Sequence, residues 1–250
     1  MIPKKIHYCW FGGNPLPKSA RKCIASWRKY FPDYEVIEWN EDNYDVNKIP
    51  YTAQAYAAKK YAFVSDYARF DIIYREGGIY FDTDVEVLCP FDDILKHGAF
   101  FGCEIDGTMS AEDQAMSLEG REYEDFSIRV SPGLGMASEA ENPFYKEFLE
   151  FYDDYRFYRE DGTRNSMAVV RITTNLLAKH GLQDRKGVQK VEHITIYPVE
   201  YFNPMDSATG IISTTENTHT IHWYSLSWMS GAERFWIAVK RILRRMSRRK

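Results

Sequence analysis

No C-x-x-C spacing links any of the four cysteines, Cys9, Cys23, Cys89 and Cys103, and none has a histidine at zinc-ligand distance along the chain. A structural zinc site is therefore not expected. The opening residues, MIPKKIHYCW, lack the apolar run of a secretory signal, no stretch is apolar for the length of a membrane span, and no N-x-S/T acceptor occurs. A reducing cytoplasm is the expected compartment. Basic charge is also scarce away from one end: with the seven Lys and Arg from Lys240 to Lys250 set aside, 25 bases face 36 acids. A nucleic-acid reader spreads cations over a folded face, so no nucleic-acid partner is expected.

What is present is enough apolar material for one core, 44% of 250 residues, and too little length for two comfortable ones. The 18 Tyr and 6 Trp are more rings than a site can use, so most must be core and a few are free to stack on a base or a sugar face.

The densest run of signals is Phe63 to Val87, FVSDYARFDIIYREGGIYFDTDVEV. From Ala53 to Glu76, Tyr56, Phe63, Val64, Tyr67, Phe70, Ile73 and Tyr74 recur at three- and four-residue intervals, which predicts one helix buried along a side. Gly77 and Gly78 end it, and Ile79, Tyr80 and Phe81 favour a strand. If the chain stays extended, Asp82 and Asp84 project to one side, and two carboxylates in one small space call for a proton or a cation between them. Oxygen ligands point to Mg or Mn. One turn before the glycines, Asp66 and Arg69 are helix neighbours, either a plain ion pair or a pair that grips a polyhydroxylated ligand.

The joint order S-D-x-x-R, a glycine pair, I-Y-F and D-x-D resembles the glycosyltransferase family that carries a DXD sugar-binding region, with capsular-polysaccharide enzymes, yeast-type mannosyltransferases and, more distantly, clostridial glucosylating toxins. I-P-K-x-I-H-x-x-W-x-G-G at the start and I-H-W-Y-S-L-S-W at 221–228 match its opening and closing motifs, the latter with the first Trp displaced. The resemblance implies an α/β chain, a single GT-A-type Rossmann-like nucleotide-diphospho-sugar transferase domain with additional helices, over residues 1–230. It implies that Asp66 and Arg69 contact the donor sugar and ribose, that Asp82 takes ribose and sugar hydroxyls, and that Tyr80 contacts ribose. Trp10 would pack on the base, with Phe11 and Gly12 beside it. Asp84 would bind the metal with His222 as second ligand and His219 as fallback, while Ser227 and Trp228 would close over the diphosphate.

The activity implied is a metal-dependent, configuration-retaining transfer of a sugar from a nucleotide-diphosphate donor, a UDP-sugar first, to a glycan or lipid-linked acceptor in bacterial surface polysaccharide synthesis. Ser131-Pro132-Gly133 stands where relatives carry an asparagine before glycine. Two other classes use paired aspartates: a nucleotidyltransferase or phosphohydrolase, and a non-catalytic sugar- or calcium-binding module.

Elsewhere, Ile6–Trp10 and Tyr34–Trp39 read as strands flanking a helix from Ser19 to Phe31, and Asn40 to Asn43 as a solvated turn without chemistry. Phe100–Glu104 and Val191–Tyr197 read as strands, 108–126 as an acceptor-side loop, and 143–158 and 166–180 as helices, the first a core element because its rings fall at helical spacing. Beyond Glu233, Phe235, Trp236, Val239, Leu243 and Met246 share a helical face opposite cations. Residues 231–250 are thus a basic amphipathic helix that either lies on an anionic membrane surface, the inner face of the cytoplasmic membrane, or docks on the body.

Overall fold

The computed structural model describes residues 1–108, 126–165, 167–225 and 231–247. Nine strands occur there: β1 (Lys5–Cys9), β2 (Glu35–Trp39), β3 (Gly78–Tyr80), β4 (Val85–Val87), β5 (Phe100–Ile105), β6 (Arg129–Ser138), β7 (Gln189–Val191), β8 (Ile194–Tyr197) and β9 (Thr220–His222). Eight helices accompany them: α1 (Lys18–Tyr30), α2 (Pro50–Ala57), α3 (Tyr61–Glu76), α4 (Asp92–Leu95), α5 (Pro143–Asp154), α6 (Val169–Lys179), α7 (Val199–Phe202) and α8 (Gly231–Ser247).

Seven strands form a mixed sheet in the order β2-β1-β3-β6-β5-β8-β7. β1 runs parallel to both β2 and β3, the opening βαβ that the sequence predicts, and β6 turns antiparallel between β3 and β5. Both faces are covered. One carries α2, α3, α5 and α6 over a core that includes Phe70, Phe101, Tyr145 and Phe148; the other carries α1, α4 and α7 over Trp27, Phe81, Phe91, Phe100 and Phe202. A sheet buried on both sides explains why its strands read as apolar runs rather than alternations. Fully buried His7 ties β1, β2 and the start of β3 together: its Nδ1 accepts from the Trp39 indole at 3.0 Å and its Nε2–H reaches the Gly77 carbonyl at 2.9 Å. Burial pushes its pKa down to about 4, so the ring stays neutral in this double bond.

Two expectations need correction, and one strand is unexpected. The single helix from Ala53 to Glu76 is two helices, because Lys59 adopts a left-handed backbone (φ 57°) and Lys60 starts the chain afresh. The strand expected over 191–197 is a hairpin: Val191 pairs with Ile194 across Glu192-His193, with Glu192 at φ 53°. β6, a strand not expected from the sequence, bulges against β5. Phe101 pairs with Met136 but the next residue, Gly102, pairs with Ser131, so the intervening residues have no partner on β5. Pro132, which has no N–H to donate, is tolerated in such a gap.

Candidate active site

The glycine pair works as the sequence predicts. Gly77 (φ 63°) caps α3 with its N–H on the Ile73 carbonyl, and Gly78 (φ 104°) lies so close to the Lys5 carbonyl and His7 ring that a Cβ would collide with both. The chain can therefore reverse and lay β3 directly beside β1. After Tyr80 the strand ends. Asp82, Thr83 and Asp84 form a turn closed by the Val85 N–H on the Asp82 carbonyl at 3.0 Å, so the two carboxylates converge through a turn and not through strand alternation.

Asp82 sits on the first half of the site. Buried Arg69 donates from Nη2 to Asp66 Oδ1 at 3.0 Å and lies 3.4 Å from Asp82 Oδ1, while its Nε is held by the Ser65 carbonyl at 3.0 Å. The Tyr80 hydroxyl donates to Asp82 Oδ1 at 3.1 Å, and the guanidinium stands over the Tyr80 ring. All four residues expected to grip the donor are thus one connected cluster. Burial works against the Arg69 charge, yet Asp82, Tyr80 and Asp66 together keep it firmly protonated. Burial pushes the Asp66 carboxyl up to about 6, with Arg69 pulling against it and Asp82 adding to it. The bulge in β6 completes this half. The Asp82 N–H donates to the Gly133 carbonyl, and a Cβ on Gly133 would overlap Asp82 Oδ2 and press on Arg69 Nη1. Glycine is required there by close approach, a constraint that spacing does not reveal.

Asp84 sits on the second half. β4 pairs antiparallel with β9, in the register Val85 to His222, and Trp27 on α1 fixes β4 through its indole N–H on the Val85 carbonyl at 2.8 Å. This pairing puts His222 Nε2 3.0 Å from Asp84 Oδ1, while the Ser225 N–H donates to Asp84 Oδ2 at 2.8 Å. Burial works against ionisation of Asp84, but His222 and Ser225 outweigh it and hold the carboxyl well below the usual range. Burial also opposes a charge on His222, and Asp84 reverses the balance, raising the imidazole above its ordinary value.

Asp82, Asp84 and His222 each offer a ligand atom within 4.8 Å of the others. Two carboxylate oxygens and one imidazole nitrogen suit Mg or Mn, and the shared proton between Asp84 and His222 is what a cation would replace. His219, the fallback ligand, is elsewhere: its Nε2 pairs with Asp93 at 2.9 Å and its ring stacks on Tyr201. Ser227 and Trp228 lie outside the described residues.

At the end of β1, Trp10 is half-buried, with its indole N–H on the Asn14 carbonyl at 2.5 Å. Phe11 departs from expectation: its ring belongs to the core beside Tyr44, so its side chain is committed to packing. Gly12 (φ 96°) is packed so closely on Tyr61 that a Cβ would overlap the ring. Its N–H donates to Glu41 at 2.6 Å. Burial opposes ionisation of Glu41, but that N–H and the Tyr56 hydroxyl hold the carboxyl below its ordinary value. Glu41 lies in the turn read as free of chemistry, and only tertiary contact discloses its role. Tyr61 begins α3, so one helix links the Gly12 backbone to Asp66 and Arg69.

Against known proteins, residues 17–101 match the family model described as glycosyltransferase sugar-binding region containing DXD motif. Inositol phosphoceramide mannosyltransferase 3 of Schizosaccharomyces pombe is 30% identical over 103 residues, 40% of this chain and 29% of that protein. An uncharacterised glycosyltransferase, L373, of Acanthamoeba polyphaga mimivirus is 33% identical over 107 residues, 40% of this chain and 43% of that protein. The matched stretch is thus less than half the length of either relative. Among solved structures, the PaToxG glycosyltransferase aligns over 71% of this chain and 69% of its own at 19% identity and a TM-score of 0.49.

Proposed function

We propose, from the match of residues 17–101 to the family model described as glycosyltransferase sugar-binding region containing DXD motif, that the chain is a glycosyltransferase that moves a sugar from a nucleotide-diphosphate donor, a UDP-sugar, to a glycan or lipid-linked acceptor in bacterial surface polysaccharide synthesis. The observation that carries this reading is the adjacency of two differently built half-sites: an Asp66–Arg69–Asp82–Tyr80 cluster fit for hydroxyls, and an Asp82–Asp84–His222 set fit for a hard cation.

Asp84, His222 and Asp82 would hold Mn or Mg, which would supply Lewis acidity at the diphosphate side of the site. The remaining work falls to the chain. Asp66 accepts from sugar hydroxyls and Arg69 donates to sugar oxygens, each locked by the other, so that the donor arrives already oriented. Tyr80 and Asp82 take the ribose, and Trp10 and Gly12 the base side, at the carboxyl end of β1 where open α/β sheets hold their ligands. Ser227 and Trp228 follow Ser225 closely in the chain, and we assign them to the diphosphate. The anomeric configuration is retained in this reading.

Residues 1–230 form the catalytic unit and 231–250 a membrane-contacting one in the same proposal. Phe235, Trp236 and Ile242 on α8 are exposed, and Arg241 anchors the helix by donating to the Ser207 carbonyl at 3.0 Å. No helix among the described residues is long and apolar enough to cross a membrane. An apolar and cationic helix on the body suits the inner face of an anionic membrane. Truncation at Gly231 should abolish co-sedimentation with phosphatidylglycerol vesicles.

The central test is hydrolysis of a UDP-sugar panel in Mn, followed by calorimetry. Binding of both Mn and a donor, lost together in Asp84→Ala, is the expected result. Failure of Mn and every common activated sugar to bind would overturn the proposal. An α-configured product from an α-linked donor, read by NMR, is expected for retention.

A further inference from the structure

A cavity of about 340 Å³ at the β7 edge of the sheet shares no residue with either half-site. Thr195 and Tyr197 on β8 form its floor, 7% and 3% exposed, on the face that α4 and α7 cover. Lys190 of β7, His97 after α4 and Tyr201 of α7 surround them, the first two exposed at the rim. The register sets Lys190 opposite Thr195, and paired residues project to one face, so the ammonium stands over the same floor as the hydroxyls. The volume is at the low end for small-molecule sites, which suits one sugar unit.

The polar lining is uncommitted. The buried Tyr197 hydroxyl has no hydrogen-bond partner among the described residues, and no ion pair or side-chain hydrogen bond among them engages Lys190, His97 or Thr195. Buried polar atoms nearly always find partners, and an orphan beside a cavity takes its partner from what fills the cavity. No carboxylate lines the space, and the acids nearby are engaged elsewhere: Asp93 pairs with His219 at 2.9 Å, and Glu200 accepts from Thr215 and Asn217, each at 3.2 Å. An ammonium and an imidazole therefore face the cavity with no anion to meet them. The Tyr197 and Tyr201 rings, 4.9 Å apart between centroids, supply an apolar wall, and Tyr201 is braced by its stack on His219 at 6.0 Å.

We propose that this cavity binds an anionic sugar unit: Lys190 and His97 meet its phosphate or carboxylate, the Tyr197 and Thr195 hydroxyls meet its oxygens, and the tyrosine rings back its apolar face. Lysine is a compact point charge that serves either anion, and a tyrosine presents an apolar body with a polar tip. The site is separate from the donor cluster yet near it. The His219 N–H donates to the Tyr201 carbonyl at 2.8 Å, and His222 follows three residues later, about 10 Å along an extended chain. On the transfer reading above, the cavity is a subsite for an acidic acceptor glycan and not for the donor; the binding itself does not depend on that reading.

NMR titrations in EDTA follow glucose 1-phosphate, glucuronate and glucose on the wild type, Lys190→Gln, Tyr197→Phe and Asp84→Ala. At least one anionic sugar should bind, with glucose at least about tenfold weaker. Lys190→Gln should weaken that binding about 10- to 100-fold, the loss of a charged hydrogen bond, and Tyr197→Phe about 3- to 10-fold. Asp84→Ala should bind as the wild type does, and UDP-sugar affinity in Mn should be unchanged in both cavity variants. Because the Tyr197 hydroxyl has no partner among the described residues, Tyr197→Phe should melt no lower than the wild type without ligand. Binding of neither anionic sugar would leave the cavity to water and overturn the proposal. Binding that Lys190→Gln leaves intact would overturn it too, as would binding that vanishes in Asp84→Ala, which puts the sugar in the donor cluster. Failure of every UDP-sugar to bind the wild type would overturn the transfer reading alone and leave this site standing.

Discussion

Asp66→Asn should yield a protein that is more stable and less able to hold its donor. Its side chain is only 16% exposed, and burial lifts the carboxyl from the usual range to about 6 even with Arg69 beside it. A carboxyl whose folded pKa exceeds its unfolded one binds its proton more tightly in the native chain. Its contribution to stability is therefore greatest at low pH and is lost as pH rises from about 4 through about 6. A gap of that size amounts to about 3 kcal/mol by pH 8. Asparagine removes the charge and keeps an oxygen for Arg69 Nη2, now 3.0 Å away. The expected gain is about 1–3 kcal/mol at pH 8, or several degrees in Tm at about 2–4 °C per kcal/mol for a chain of this length. It should shrink as pH falls toward 4. Urea denaturation across that range measures it, and calorimetry with Mn and a UDP-sugar should show donor affinity weakened about 10- to 100-fold, one charged hydrogen bond. A variant less stable than its parent at pH 8, or a gain indifferent to pH, would refute the reasoning.

Gly133→Ala places a methyl against Asp82 Oδ2 and Arg69 Nη1; donor affinity should drop at least about tenfold for an overpacking cost of about 1–3 kcal/mol, read by calorimetry and thermal melts. Mn affinity should climb as pH rises above 6.5, because Asp84 raises the His222 pKa and the proton competes with the metal for the same imidazole. Titrations at pH 6 and 8 check this, and equal affinities would contradict it. Lys59→Gly relieves a left-handed lysine and should stabilise the chain by about 0.5–1 kcal/mol in urea titrations, with donor hydrolysis unchanged.

The sequence discloses those parts of the site whose signal is local. The face of α3 from Val64 to Ile73, the stop at Gly77 and the entry into β3 follow from periodicity and from glycine's backbone freedom, and the structure places them as expected. The two-helix break at Lys59 escapes because neither glycine nor proline marks it. Asp82 and Asp84 do converge, but through a turn that period-two alternation cannot describe. His222 is found from motif order, whereas the β4–β9 register that brings it to Asp84 is a pairing between distant segments and leaves no trace in either. Glu41 and Gly133 belong to the same class. Each acquires its neighbours only when remote elements pack, and each looks ordinary in its own stretch of chain.

The short β4–β9 ladder joins the middle of the chain to a point near its end. A polypeptide still emerging from the ribosome owns both aspartates long before it owns the histidine, and so has an incomplete cation clasp. The clasp closes only once the segments around Val85 and His222 have met, so its assembly reports on pairing between distant parts of the chain.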